Sequence, residues 1–267
     1  MRRCLGYPHS IKVLTGLLLV GLVAMAAPAA NAEQEPAATP YRPTVSNPAD
    51  LSEPGWLEVE FGGQHIMGGS GKRLDSFPVL AKLAFTEDWG ILLGGDLGVR
   101  YTDVDGVLYK GAGDTTLTLK HRIPTAAEGA AWGVEAGCKF PTAKTTIGSG
   151  KADYILNGIY SRDFSDNHLD LSLGVTRAGA VSDDGSRYLY NWAASLSRNL
   201  GQKWGVFGEL SGLYPRGMPA LSQVLAGANY NFSKRVVFDA GGTVGLTNAS
   251  QDWSVFAGVT VLMGQLW

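Results

Sequence analysis

A two-residue alternation runs through this sequence from Trp56 onward, and it is clearest at the C-terminus. From Trp253 to Trp267 the chain reads WSVFAGVTVLMGQLW. Trp253, Val255, Ala257, Val259, Val261 and Met263 fall on one face of an extended strand, while Ser254, Gly258, Thr260 and Gly264 fall on the other. A strand that is apolar on one side, small or polar on the other and closed by an aromatic suits a transmembrane β-barrel, with lipid outside and a wet lumen inside.

Eleven further segments precede it: 56–65, 76–86, 89–102, 113–123, 131–140, 152–162, 168–178, 187–198, 203–213, 221–232 and 235–246. The clearest, 89–102, sets Trp89, Ile91, Leu93, Leu97, Val99 and Tyr101 against Asp96, Arg100 and three glycines. In 152–162 two registers compete, Tyr154, Leu156 and Tyr160 against Ile155 and Ile159; misreading it would change twelve strands to ten or fourteen. Connectors alternate between mostly longer ones (66–75, 103–112, 141–151, 179–186, 214–220, 247–252) and mostly short ones (87–88, 163–167, 199–202, 233–234), with 124–130 the exception. That is the pattern of outer loops and periplasmic turns in an even-numbered barrel with both termini inside. Trp56, Trp89, Trp132 and Trp204 each begin an odd-numbered strand and Trp267 ends the last, so all five fall at the periplasmic interface. Phe77, Tyr101, Phe140, Tyr188 and Trp253 would form the outer girdle. A soluble β-sandwich or lipocalin-like barrel would bury the alternating apolar face as a core and would not collect tryptophan at one level. The expected fold is therefore all-β: an antiparallel up-and-down transmembrane barrel of about twelve strands, closed by pairing the last strand with 56–65.

The N-terminus reads as an export signal. Arg2, Arg3 and Lys12 precede an apolar run from Val13 to Ala27 and the small-x-small triplet Ala30-Asn31-Ala32, so residues 1–32 are expected to be cleaved. Residues 33–54, rich in Pro, Ala and Glu and without periodicity, read as a flexible periplasmic segment, leaving 55–267 for the barrel. Beyond the signal there is no apolar run of about 18 residues, which excludes a helical membrane bundle. The mature chain has nineteen basic and twenty-four acidic side chains, a net charge of −5, and no basic footprint for nucleic acid. Cys138 is its single cysteine, which rules out an internal disulfide.

Catalytic motifs are weak. Gly148-Ser149-Gly150-Lys151 looks like the end of a phosphate loop, but Thr145 and Ala152 stand where Gly and Ser or Thr are needed. Asp103-Val104-Asp105-Gly106 and Asp183-Asp184-Gly185 do not complete a calcium loop with a distal Glu. An outer-membrane lipid hydrolase would need a Ser beside a His, and no Ser lies two residues from His65, His121 or His168 on their strands. No cofactor or metal is indicated. The informative set is the inward ionisable group: Lys82, Asp96, Arg100, Lys120, Arg122, Glu135, Lys139, Asp170, Glu209 and Asp239. A Lys or Arg facing lipid costs roughly 2–4 kcal/mol near the midplane, so these belong in the lumen. There they either brace the barrel as cross-wall ion pairs or form a polar constriction that selects small solutes, and both roles are compatible.

Several stretches, in order, resemble the outer-membrane transporter family labelled phenol-degradation meta-pathway proteins. They are PGWLEVEFG at 54–62, FPVL at 77–80 running to FTEDW at 85–89, GAGDTTL at 111–117 with Lys120-His121-Arg122, and FPT at 140–142. FDAG at 238–241 and NASQDWSV at 248–255 complete the set, which spans nearly all of the mature chain. The resemblance implies an outer-membrane barrel with a role in uptake of aromatic or other small organic compounds, and it names no catalytic residues. The expectation is passive uptake of small organic solutes through a narrow, charge-lined lumen, against the rival of a non-conducting structural or adhesion barrel. Partners expected are outer-membrane lipid, a small-molecule solute and the barrel-assembly machinery, for which Trp267 resembles the C-terminal insertion signal. Alternation carries no information on oligomeric state.

Overall fold

The computed structural model describes residues 35–68, 71–180, 187–215 and 218–267; the expected signal peptide and the Asp183-Asp184-Gly185 loop lie outside them. Thirteen strands are present among the described residues: β1 (Trp56–Met67), β2 (Arg73–Ala84), β3 (Trp89–Thr102), β4 (Leu108–Gly111), β5 (Thr115–Pro124), β6 (Ala130–Phe140), β7 (Asp153–Phe164), β8 (Asn167–Arg177), β9 (Tyr188–Leu200), β10 (Trp204–Pro215), β11 (Leu221–Ser233), β12 (Val236–Gly245) and β13 (Trp253–Gln265). Twelve form a closed antiparallel barrel in chain order, β13 returning to pair with β1; β4 is a short addition that pairs with the outer end of β3 inside the loop expected at 103–112. The closing seam runs from Trp56↔Gln265 to Met67↔Trp253, so the closing strand pairs with the segment expected.

Closure leaves the twelve-stranded wall without a free edge, which is what allows a strand structure to cross lipid without unsatisfied backbone groups. The outward face is apolar and exposed, as at Leu93, Leu117, Leu119, Leu171, Leu173 and Val255. At the rim that carries the short turns Trp132 packs on Tyr160 and Trp204 on Tyr230, each at 4.8 Å between ring centroids. His121 belongs to this rim too: its ring stacks at 4.0 Å on Trp89 and its Nδ1 lies 3.0 Å from the Asp88 carbonyl. In β7 the competition is settled in favour of Tyr154 and Leu156 outside and Ile159, 1% exposed, inside.

One stretch departs from strict alternation. Pro78 sits in mid-strand and cannot donate to a ladder. The β1–β2 pairing lapses between Phe61↔Val79 and Gln64↔Ser76, and on the other side Ser76 pairs with Val99 while Pro78 pairs with Asp96. Three steps along β3 therefore oppose two along β2. This is a bulge, and it reverses the faces of every later residue of β3. Val99 turns inward beside Ser76 and is buried, and Tyr101 shares its face. Arg100 turns outward, paired with Asp75 on one side and Lys110 on the other. Its expected place in the lumen, and that of Tyr101 in the outer girdle, are corrected accordingly.

Candidate functional site

The inner face does not enclose an empty lumen. Residues 35–54, expected to be a flexible periplasmic segment, run through it and touch inward side chains around most of its circumference. The segment has no secondary structure of its own, so its backbone polar groups need partners, and the wall supplies them. Thr39 N–H donates to Glu58 Oε2 at 2.9 Å; the N–H groups of Tyr41 and Arg42 donate to the two Glu60 oxygens at 2.6 and 3.0 Å. Ser46 N–H donates to Glu209 Oε2 at 2.8 Å, and Ala49 N–H to Ser161 Oγ at 2.7 Å. In the other direction, Lys82 Nζ donates to the Thr39 carbonyl and Lys120 Nζ to the Pro48 carbonyl, both at 2.5 Å.

Tyr41 is the centre of this arrangement. It is 2% exposed, its hydroxyl donates to the Asp50 carbonyl at 2.6 Å, and the Lys82 and Lys120 ammonium groups lie 3.8 and 4.1 Å from the centre of its ring. Three wall carboxylates pair with the two ammonium groups: Glu58 and Glu60 stand 2.5 and 2.6 Å from Lys82, and Glu135 stands 3.2 Å from Lys120. Buried charges are tolerated only when paired and hydrogen-bonded in this way. Burial, and after it the carboxylates of Glu135, Glu58 and Glu60, hold the Tyr41 hydroxyl well above the ordinary tyrosine value of 10.0.

Further contacts pin the segment along its length. Arg42 reaches Asp239 at 3.4 Å, Asn47 Nδ2 donates to Glu135 Oε1 at 3.0 Å, and Arg122 holds Asp50 at 2.7 Å near the mouth that carries the short turns. Small wall residues make the room. A side chain at Gly258 would meet the Arg42 guanidinium at 2.5 Å, and one at Gly133 would meet Ala49 at 3.2 Å. Ala49 is completely buried with Ala131 and Ile159.

Of the ten ionisable residues singled out in the sequence, six bond the segment directly: Lys82, Lys120, Arg122, Glu135, Glu209 and Asp239. Asp170 acts through Ser161, whose hydroxyl donates to it. Lys139 lies toward the outer end, where it pairs with Asp114 at 3.2 Å and Asp153 at 2.7 Å. Asp96 is half-buried, with no cation within 4 Å among the described residues. Arg100 is outside. Sequence reasoning missed Tyr41, Arg42, Asn47 and Asp50, and it did not single out Glu58 and Glu60. The signal available was that Tyr41 and Arg42 are the one aromatic and the one basic residue between 33 and 54.

No histidine is placed as a base for a serine among the described residues. His168 Nε2 lies 2.9 Å from Asp170 Oδ1 and its Nδ1 2.6 Å from Asp163, so the Asp170 carboxylate stands between His168 and Ser161. His65 pairs with Asp75 at 2.6 Å on the outer face. Asp103 Oδ1 is used by the N–H groups of Asp105 and Val107, closing the loop as a turn.

Space remains on both sides of the segment. A cavity of about 430 Å³ opens toward the outer loops, between Tyr41–Val45 and Gln64, Leu225 and Phe256. A second, of about 230 Å³, opens toward the short turns beside Asp170, Ser197 and Asp239. Arg42, Pro43 and Thr44 line both, so this tripeptide is the partition between them.

No protein-family model matches the chain, and no curated protein matches it. Solved structures do. An outer-membrane channel of the COG4313 group from Pseudomonas putida F1 superposes with a TM-score of 0.63 over 80% of this chain and 98% of that one, at 12% identity. The KdgM porin gives 0.52 over 78% of this chain and 99% of its own, at 10% identity. The CymD monoaromatic hydrocarbon channel gives 0.50 over 80% and 90%, also at 10%. The shared property is the fold: this chain is an outer-membrane-type β-barrel.

Proposed function

We propose that this protein is a passive outer-membrane channel for small organic solutes, and that its own N-terminal segment sets the size of the path. The observation that carries the reading is the partition: two cavities of about 430 and 230 Å³, one open to each side, meet at Arg42-Pro43-Thr44 inside a closed twelve-stranded wall. Barrels of about eight strands are filled by side chains and those of sixteen or more leave a wide pore, so twelve strands with a threaded segment fit a narrow path. The charged inner face would favour solutes small enough to pass between fixed, paired charges. Likeness in fold to outer-membrane channels supports the reading, as does the sequence resemblance to the phenol-degradation meta-pathway group, which extends it to aromatic or other small organic compounds. Trp267, packed against Gly55 at the seam, fits a terminal signal read by the assembly machinery.

The test is single-channel conductance in planar bilayers for the intact protein and for a variant lacking residues 35–54. A small conductance that rises several-fold on deletion is expected. The density of buried ion pairs around Tyr41 favours a second reading, a permanently plugged structural barrel. That reading predicts no conductance and no liposome swelling from the intact protein with any small solute.

A further inference from the structure

The bulge opposite Pro78 leaves charge on the outward face of the barrel, where the lumen does not explain it. Arg100 belongs to a row of outward side chains at one level of the wall. Val255 on β13, His65 on β1, Asp75 on β2, Arg100 on β3 and Lys110 on β4 are cross-strand partners in turn. One step nearer the long loops, Arg73 shares this face, opposite Met67 and Thr102. Aromatic side chains bracket the row, with Phe77 on the midplane side of Asp75 and Trp253 on the loop side of Val255. The level is therefore that of a membrane interface, where a lipid-facing cation is tolerated far better than at the midplane.

The row is short of anions. Asp75 is its one acid, and its carboxylate lies 2.6 Å from His65 Nδ1. Arg100 and Lys110 stand directly opposite each other across the β3–β4 ladder, and like charges so placed destabilise a sheet. Both side chains are exposed, as is that of Arg73, and none of the three has a carboxylate within 4 Å among the described residues. Beside them the outward surface is hollow. A groove of about 510 Å³ runs from Arg100 and Asp75 to Gly63 and Ala257, flanked by Phe77 and Val255. The missing side chain of Gly63 makes the room: a Cβ there would meet only the Phe77 ring, at 3.7 Å.

We propose that this face is a binding site for an anionic membrane lipid. Its phosphate lies against Arg100 and Lys110, with Arg73 beside them, and one acyl chain lies in the groove between Phe77 and Val255. A guanidinium and an ammonium on one face supply the donors that phosphate oxygens take, and the phosphate removes the repulsion between them. The groove suits an acyl chain because its flanks are apolar and it opens onto lipid. Free phosphate would use only the charged half of the site and a neutral lipid only the groove. The proposal uses the outward face alone, so it stands apart from the channel reading and is tested without conductance.

The experiment titrates the purified full chain in a neutral detergent with dioleoyl phosphatidic acid and counts retained lipid by native mass spectrometry. Dioleoyl phosphatidylcholine and inorganic phosphate are the comparison ligands. One tightly retained phosphatidic acid is expected, with phosphatidylcholine at least tenfold weaker and inorganic phosphate not retained. Arg100→Gln with Lys110→Gln should weaken phosphatidic acid at least tenfold, the loss of two charged contacts, and Arg100→Gln alone serves should the double variant not fold. Gly63→Leu, which fills the groove and leaves the charges, should weaken it several-fold. Arg235→Gln, which removes a cation beside Trp56 at the opposite end of the barrel, should change nothing. Equal retention of the two lipids, retention of inorganic phosphate, or unchanged affinity in the Arg100 or Gly63 variants would each overturn the proposal. An equal loss in Arg235→Gln would overturn it too, by showing general attraction to charge. A protein that conducts nothing but retains the lipid in this way would refute the channel reading and leave the site standing.

Discussion

Truncating Tyr41 should free the segment from the barrel wall, and the size of the effect follows from what its side chain does. The ring is almost wholly buried, the hydroxyl makes one 2.6 Å bond, and two ammonium groups sit within about 4 Å of the ring centre. Removing a buried aromatic ring costs about 3–5 kcal/mol in a rigid core. Water can enter a barrel lumen and rehydrate Lys82 and Lys120, so the lower figure applies here. At about 1.4 kcal/mol per factor of ten, ~3 kcal/mol raises the population with the segment displaced roughly a hundredfold. Tyr41→Phe keeps the ring and both cation contacts and loses only the bond to the Asp50 carbonyl, about 1 kcal/mol or fivefold. Single-channel recording reads both as the fraction of time in the high-conductance state. The expected order is Tyr41→Ala far above Tyr41→Phe, and Tyr41→Phe slightly above wild type. Equal occupancy in all three would refute the idea that this ring holds the segment, and a phenylalanine variant as open as the alanine one would show that the hydroxyl holds it instead.

Three further outcomes are expected. Gly258→Ala, whose new methyl would occupy the place of the Arg42 guanidinium, should break the Arg42–Asp239 pair and raise small-solute swelling rates in proteoliposomes several-fold without altering heat-modifiable mobility on gels. Docking of the segment should also weaken in alkali: burial raises the Tyr41 pKa, so its stabilising share is fully present below pH 10, the value of the free side chain, and is lost as pH rises toward the docked value. Open-state occupancy should therefore climb above about pH 10, and Tyr41→Phe should remove that tyrosine-dependent share. Deleting Trp267 should impair assembly more than any loop change, read as loss of heat-modifiable barrel from the outer-membrane fraction.

Alternation made the barrel legible because the physics that places each strand residue is local: lipid on one side, a polar interior on the other, a period of two. Strand number, the β1–β13 seam and the rim tryptophans all follow from it. The same reasoning misplaced Arg100 because one proline in the neighbouring strand changed the count. Pro78 in β2 cannot donate, so β3 bulges opposite it and the period slips by one between Asp96 and Val99. Within β3 alone nothing marks the slip; it is a property of the pair of strands.

The threaded segment was hidden for a different reason. Residues 35–54 bury few apolar side chains and have no period, which in isolation is the composition of a chain that stays unfolded. What orders it is the wall, through partners far away in sequence: Tyr41 with Lys82 and Lys120, Arg42 with Asp239, Ser46 with Glu209. The charges that looked like a lining for solute are in large part ligands for the chain's own backbone. That changes what selectivity would mean in this barrel. Glu58, Glu60 and Glu135 already have cationic partners, and Glu209 already accepts the Ser46 N–H, so a solute passing the docked segment meets little free charge at these positions. Displacing the segment would take Arg42 from Asp239 and the Ser46 N–H from Glu209, while Lys82 and Lys120 keep their wall carboxylates. Charge selectivity should thus belong to the high-conductance state, with passage in the docked state limited mainly by size at Arg42-Pro43-Thr44.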